Sequence, residues 1–283
     1  MYNTLITATE LNTLISDSSV LILDCRFSLA GQGSADYGQR VYNEGHLPGA
    51  VFMHLDDDLS SPILPTTGRH PLPDVDKLSA KLQQSGLKKD QQVVVYDDCG
   101  GAMAARTWWL LRYLGHDAVA LLDGGFPQWT AQGYALTQDV TEPEAGDFTP
   151  QLRAGMNMSV GEVIRETSKA HITLIDARSV ERYRGEQEPI DPVAGHIPGA
   201  LNRPLTDNLQ DGCFKSAEQL TEEWRALLDD RAADTIVHYC GSGVTACHNL
   251  LSMEVAGLSG ARIYAGSWSE WIRDTARPVA TGE

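Results

Sequence analysis

Basic residues are scarce in this chain: 22 Lys and Arg stand against 38 Asp and Glu, a formal charge of -16 at pH 7. Binding to phosphate backbones relies on basic patches, so no nucleic-acid partner is expected. Cysteine is sparse as well. Cys25, Cys99, Cys213, Cys240 and Cys247 are odd in number, scattered, and never spaced C-x-x-C. Such a set builds neither a disulfide framework nor a zinc site. No metal and no cofactor is expected, and free thiols suit a reducing compartment. Long apolar runs are missing too: none approaches the roughly 20 residues that cross a bilayer. The opening MYNTLITATELNTLISDSSV lacks the basic start and unbroken apolar stretch of a secretory leader. These absences predict a cytoplasmic protein without a membrane partner.

What is present is ordinary in bulk and unusual in arrangement. With 283 residues, 42% hydrophobic and 21% charged, the chain is long enough for two domains, each burying its own core. It is also written twice. LILDCRF at 21–27 matches TLIDARS at 173–179, and GHLPGAVFMHL from Gly45 matches GHIPGALNRPL from Gly195. QVVVYDDCGGAMAARTWWLLRYLG matches DTIVHYCGSGVTACHNLLSMEVAG, and AVALLDGGFPQW matches ARIYAGSWSEW, all in the same order. Four ordered matches establish a tandem duplication. Short Val, Ile and Leu runs alternate with amphipathic stretches such as DVDKLSAKLQQSGL and SAEQLTEEWRALL. Continuous apolar runs of that length suit parallel strands buried on both faces, and the alternation with helices predicts an α/β fold. The polar stretch 136–155, with two prolines and two glycines, reads as a linker between domains at 1–140 and 155–283.

The duplication acts as a filter, because features shared by both halves belong to the fold. Asp24 and Arg26 recur as Asp176 and Arg178 just past a strand, and read as a structural ion pair. His46 recurs as His196 within Gly-His-x-Pro-Gly-Ala, where a satisfied structural histidine and a tight turn are expected. Trp129 and Trp271 read as core.

Features confined to one half are candidates for chemistry. Asp97 ends the strand VVVYD where the second half has Cys240. Ligands of parallel α/β sheets bind outside the carboxyl ends of the strands, so Cys240 stands where chemistry is expected. The loop that follows is Gly241-Ser242-Gly243-Val244-Thr245, and Val244 to Ala256 reads as a helix. Glycines let successive backbone N–H groups converge on an anion, and a helix N-terminus adds its dipole to the same point. Such a setting favours a thiolate and makes Cys240 a nucleophile. Cys247, seven residues on, reads as helix packing, and Cys99 as a loop residue whose thiolate Asp97 and Asp98 disfavour. Arg182 and Arg184 in ERYRGEQEP offer forked donors for a small anion in an otherwise acidic chain.

These features together resemble the two-domain rhodanese family over nearly the whole chain. The resemblance implies a tandem of two rhodanese-like domains, each a mostly parallel sheet flanked by helices, the first catalytically inactive. It implies a sulfurtransferase that carries sulfane sulfur as a persulfide on Cys240, from a small anionic donor to a thiol, cyanide or a thioredoxin-like protein. The loop Cys240-Gly241-Ser242-Gly243-Val244-Thr245-Ala246 is similar to the 3-mercaptopyruvate branch; the thiosulfate branch has Arg and Lys where this chain has Gly241 and Ser242. The backbone of Gly241 to Thr245 would cradle the sulfur, and Arg182 matches the substrate-binding arginine. Ser242, His70 in TTGRHPLP, and Asp56 in HLDDDLS beside Asp57 and Asp58 match a Ser-His-Asp relay, with His70 and Asp56 supplied by the first domain across a cleft. Two positions depart from the pattern. Ile190 stands where a second arginine is usual, which leaves Arg184 to compensate, and Ala102 or Met103 replaces an aromatic residue. Thiosulfate as donor, or a persulfide carrier without fast turnover, are the alternatives.

Rival chemistries fit less well. A phosphatase on this fold needs an arginine where Ala246 stands. A serine hydrolase elbow asks for glycine two residues before Ser242, where the chain has Cys240.

Overall fold

The computed structural model describes residues 1–29 and 36–283. The chain forms two compact units, one of Met1–Ser61, Leu72–Arg153 and Asp211–Phe214, the other of Pro62–Pro71, Ala154–Gln210 and Lys215–Glu283.

In the first unit, five parallel strands lie in the order Leu5–Ile6, Val119–Leu122, Gln92–Tyr96, Val20–Asp24, Ala50–Phe52. The central strands QVVVY and VALL are buried at every residue, which is why they read as unbroken apolar runs rather than alternating ones. The second unit repeats the plan. Its parallel strands run Arg262–Ile263, Ile236–Tyr239, Thr173–Asp176, Leu201–Asn202, and a bridge between Asn157 and Ile263 stands where the first unit has its outermost strand.

The helix starts repeat too. Thr7 with Glu10 and Ser159 with Glu162 form capping boxes at equivalent places. The two amphipathic stretches singled out in the sequence are helices Val75–Gln84, capped by Asp74, and Ala217–Leu228, capped by Ser216. The duplicated tryptophans are core: Trp129 and Trp271 are both buried, each donating its indole N–H to a backbone carbonyl 2.9 Å away.

Three segments sit differently from the linear reading, one of them Asp211–Phe214, which belongs to the first unit. The polar stretch after residue 136 has no helix and belongs to the first unit as far as Arg153. It is pinned there by backbone bonds from Gly146 to Gln83, Phe148 to Leu87, Gln151 to Leu114 and Arg153 to Tyr113. The segment Pro62–Pro71, although it lies within the first 140 residues, is part of the second unit. The Arg69 amide donates to Ser269 Oγ at 3.0 Å, and the Arg273 side chain donates to the Thr67 carbonyl at 3.1 Å.

Candidate active site

The strand Gln92–Tyr96 and the strand Ile236–Tyr239 occupy equivalent places. Tyr96 pairs with Asp24 as Tyr239 pairs with Asp176, so Asp97 and Cys240 are structural counterparts. In the first unit the Asp97 carboxylate accepts four backbone N–H bonds from its own loop, from Cys99 and Gly101 on one oxygen and Met103 and Ala104 on the other, at 2.8 to 2.9 Å. The loop is an anion nest filled by its own side chain. Although Cys99 is exposed, desolvation in its loop and then the charges of Asp97 and Asp98 raise its thiol well above the ordinary cysteine range.

In the second unit a thiol stands at the same point. Cys240 is 2% exposed, and its Sγ accepts the Gly243 N–H at 3.2 Å. Gly243 has φ +78°, and a Cβ there would lie 2.2 Å from the Ala265 carbonyl, so no other residue fits. The Cys240 amide donates to Ser267 Oγ at 3.1 Å. The amides of Trp268 and Ser269 donate to the carbonyls of Cys240 and Gly241. Ser267 holds φ +55°, the value that Gly125 takes in the first unit. A serine tolerates that strain where its hydroxyl fixes the cysteine backbone. The helix begins at Ala246, two residues later than the sequence predicts, because Val244 and Thr245 complete the loop. Thr245 at its N-cap makes no side-chain cap bond. Cys247 is fully buried on this helix, its Sγ donating to the Gly243 carbonyl at 3.5 Å, as its reading as packing requires.

Ser242 and His70 meet. Both are buried, and Ser242 Oγ lies 2.7 Å from His70 Nδ1. The neighbouring Arg69 pairs with Asp191. Arg182 donates to Glu188 at 2.8 to 3.1 Å and to Asp191 at 3.1 Å, and Arg178 reaches Glu188 at 3.2 Å. Burial works against the Glu188 carboxylate, but Arg182 and the amides of Asp191 and Ile190 outweigh it and hold its pKa below the ordinary value. Asp191 goes the other way: burial raises its pKa despite Arg69. The guanidiniums of Arg69 and Arg182 both face Gly241; a Cβ there would lie 2.9 Å from Arg69 Nη2 and 3.5 to 3.6 Å from the Nη atoms of Arg182.

Two further sequence candidates, Arg184 and Asp56, have partners of their own. Arg184 pairs with Glu283 at 2.9 Å on the surface. Asp56 is exposed in the first unit, its amide donating to His54 Nδ1 at 3.2 Å. The duplicated residues are structural. Arg26 and Arg178 clamp Asp24 and Asp176 and donate to the carbonyls of Gly45 and Gly195, while His46 and His196 stack on Tyr42 and Tyr183 with ring centroids 3.8 Å apart. The sequence reading did not single out Arg69 or Ser267. Arg69 carried one signal, its place beside His70 in a chain poor in cations.

The Rhodanese-like domain model matches residues 7–132 and 159–274. The chain belongs to the rhodanese family. The match covers both units, and the chain is a sulfurtransferase. A probable 3-mercaptopyruvate sulfurtransferase of Pseudomonas aeruginosa is 52% identical over 99% of this chain and 98% of that one. A putative thiosulfate sulfurtransferase, SseB, of Mycobacterium tuberculosis is 41% identical over 98% of this chain and 97% of that one. Among solved structures, SseA of Escherichia coli, described as a 3-mercaptopyruvate sulfurtransferase, superposes with a TM-score of 0.81 at 30% identity, covering 95% of this chain and all of that one. This rhodanese thus carries two copies of the domain, with Cys240 after the strand Ile236–Tyr239 in one and, at the corresponding place in the other, a carboxylate that fills its own nest.

Proposed function

We propose that Cys240 carries the transferred sulfur and that 3-mercaptopyruvate is its donor. The observation that supports this most directly is the pairing of a buried Cys240, held by the Gly243 N–H, with the Ser242–His70 couple two residues along the same loop. The thiolate attacks the donor sulfur, a sulfur–sulfur bond forms, and the donor's carbon–sulfur bond breaks. The electron pair of that bond stays on carbon, which takes up the donor's thiol proton and leaves as pyruvate. Ser242 and His70 are placed to relay that proton. The charge of the resulting persulfide falls on the outer sulfur, where the N–H groups of Gly241 to Thr245 and the helix N-terminus stabilise it. A thiol or cyanide then removes the outer sulfur and restores the thiolate. Arg182 binds the donor's carboxylate, and Arg184, two residues further along the helix Val180–Arg184 and paired with Glu283, adds a second cation to that stretch. Asp56 as the third member of the relay remains part of this reading. All five cysteines are free thiols, which suits work in a reducing compartment with a thioredoxin-like acceptor.

Thiosulfate is the second reading, favoured by the name of the Mycobacterium relative. It would need cations where this loop has Gly241 and Ser242. Steady-state kcat/KM for the two donors, with one common acceptor, decides between them. Mercaptopyruvate is expected to be at least tenfold better, and a preference for thiosulfate would overturn the donor assignment.

A further inference from the structure

The segment Pro62–Pro71 brings a second cation to the cysteine loop. Arg69 and Arg182 come from positions 113 residues apart in sequence, yet both belong to the second unit and both pair with Asp191, Arg69 through Oδ1 and Arg182 through Oδ2. Asp191 itself is buried, with 3% of its side chain exposed, and so sets the spacing of the two guanidiniums. Each guanidinium spends one edge on carboxylates. Arg182 uses Nε and Nη2 on Glu188 and Asp191, and Arg69 uses Nη1 on Asp191. The other edge faces the loop: Arg69 Nη2 and Arg182 Nη1 lie 2.9 and 3.6 Å from the point where a Cβ on Gly241 would stand. These two nitrogens have no bond among those described, and both side chains keep solvent access, with 23% and 16% exposed.

We propose that Arg69 and Arg182 together form a carboxylate-binding fork beside Cys240, and that Arg69 selects for an α-keto carboxylate donor. This rests on the sulfurtransferase reading of Cys240 and deepens it. Three arginines and three carboxylates balance in the cluster of Arg69, Arg178, Arg182, Asp176, Glu188 and Asp191. What the fork offers an incoming carboxylate is therefore directed N–H groups rather than surplus charge. The absence of a side chain at Gly241 keeps their approach to the loop open. Asp191 acts as a positioning residue, because its two carboxylate oxygens hold the two guanidiniums.

The test uses the full chain and pyruvate, a carboxylate that carries no transferable sulfur. Pyruvate protection of Cys240 against iodoacetamide reports on the fork without any turnover. Failure of the donor reading would appear separately, as a wild-type chain that does not turn over mercaptopyruvate. In Arg69→Gln the pyruvate concentration for half-protection is expected to rise at least tenfold, and KM for mercaptopyruvate with it. The alkylation rate without pyruvate, and kcat, should stay within about twofold. Arg69→Lys, which keeps the charge but not the planar fork, should recover only part of the loss. Unchanged protection in Arg69→Gln would overturn the proposal. So would a fall in kcat and in unliganded alkylation as large as the rise in KM, since Arg69 would then be holding the loop rather than the ligand.

Discussion

Gly241 shows how one missing side chain shapes the site. Its backbone is not in the left-handed region, so alanine fits the main chain, but the new Cβ would lie 2.9 Å from Arg69 Nη2. That nitrogen is the far end of a flexible side chain and can move aside. Gly241→Ala should therefore cost no more than about 1 kcal/mol in urea unfolding, while raising the donor KM severalfold with kcat nearly unchanged. Equal stability with an unchanged KM would show that the space in front of Gly241 is not used. Residues of this kind differ in how far they can be read from sequence. Cys240 was legible because its counterpart, Asp97, is written in the same chain. His70 was legible only through family resemblance, and its bond to Ser242 bears on a position that neither composition nor periodicity marks. Arg69 was not legible, because its role depends on residues 62–71 folding with the second unit, and nothing in the local pattern TTGRHPLP says so.

At the scale of the strand and its loop, the two halves use the same backbone geometry for opposite ends. The first loop closes around Asp97, and that closure is testable. In Asp97→Asn one oxygen becomes an NH2 group, which faces two backbone N–H donors that cannot bond to it. Each buried, unsatisfied donor costs about 1–3 kcal/mol, so a loss of about 2–6 kcal/mol is expected in urea unfolding. Sulfur transfer per folded molecule should be unchanged. A stability close to wild type would mean that the nest does not need its carboxylate. The strand that delivers Cys240 carries a second consequence. His238 is fully buried, its Nε2 lies 3.1 Å from Met253 Sδ, and its Nδ1 has no partner among the described residues. Burial first, and the nearby Arg203 charge second, lower its pKa to about 3. The unfolded chain takes up that proton near pH 6.5, so the folded state keeps this stability above about pH 6.5 and loses it as the pH falls towards 3. At pH 5 the loss is about 2 kcal/mol. The drop in unfolding free energy between pH 8 and pH 5 should shrink by that amount in His238→Leu. An undiminished drop would place the acid sensitivity elsewhere.

For the whole molecule, the architecture was the most legible part. Ordered repeats in the sequence correspond to two parallel sheets with the same strand order. Repeated spacing between apolar runs and turns carried that information because central strands of both sheets, Gln92–Tyr96, Val119–Leu122 and Ile236–Tyr239, are buried at every residue. The assignment of segments to units was less legible. Residues 62–71 and the stretch up to Arg153 are placed by backbone and side-chain bonds to distant residues, which leave no period in the sequence. Duplication followed by divergence at one strand end leaves the Cys240 thiol where the other copy has Asp97, and sulfur transfer through that thiol is the central claim. Its most direct test is intact-mass and peptide mass analysis after incubation with mercaptopyruvate and no acceptor. The account predicts a gain of one sulfur atom per chain, located on the peptide containing Cys240, lost on adding cyanide, and absent in Cys240→Ser. Sulfur on Cys25, Cys99, Cys213 or Cys247 in its place, or an equal gain in Cys240→Ser, would contradict it.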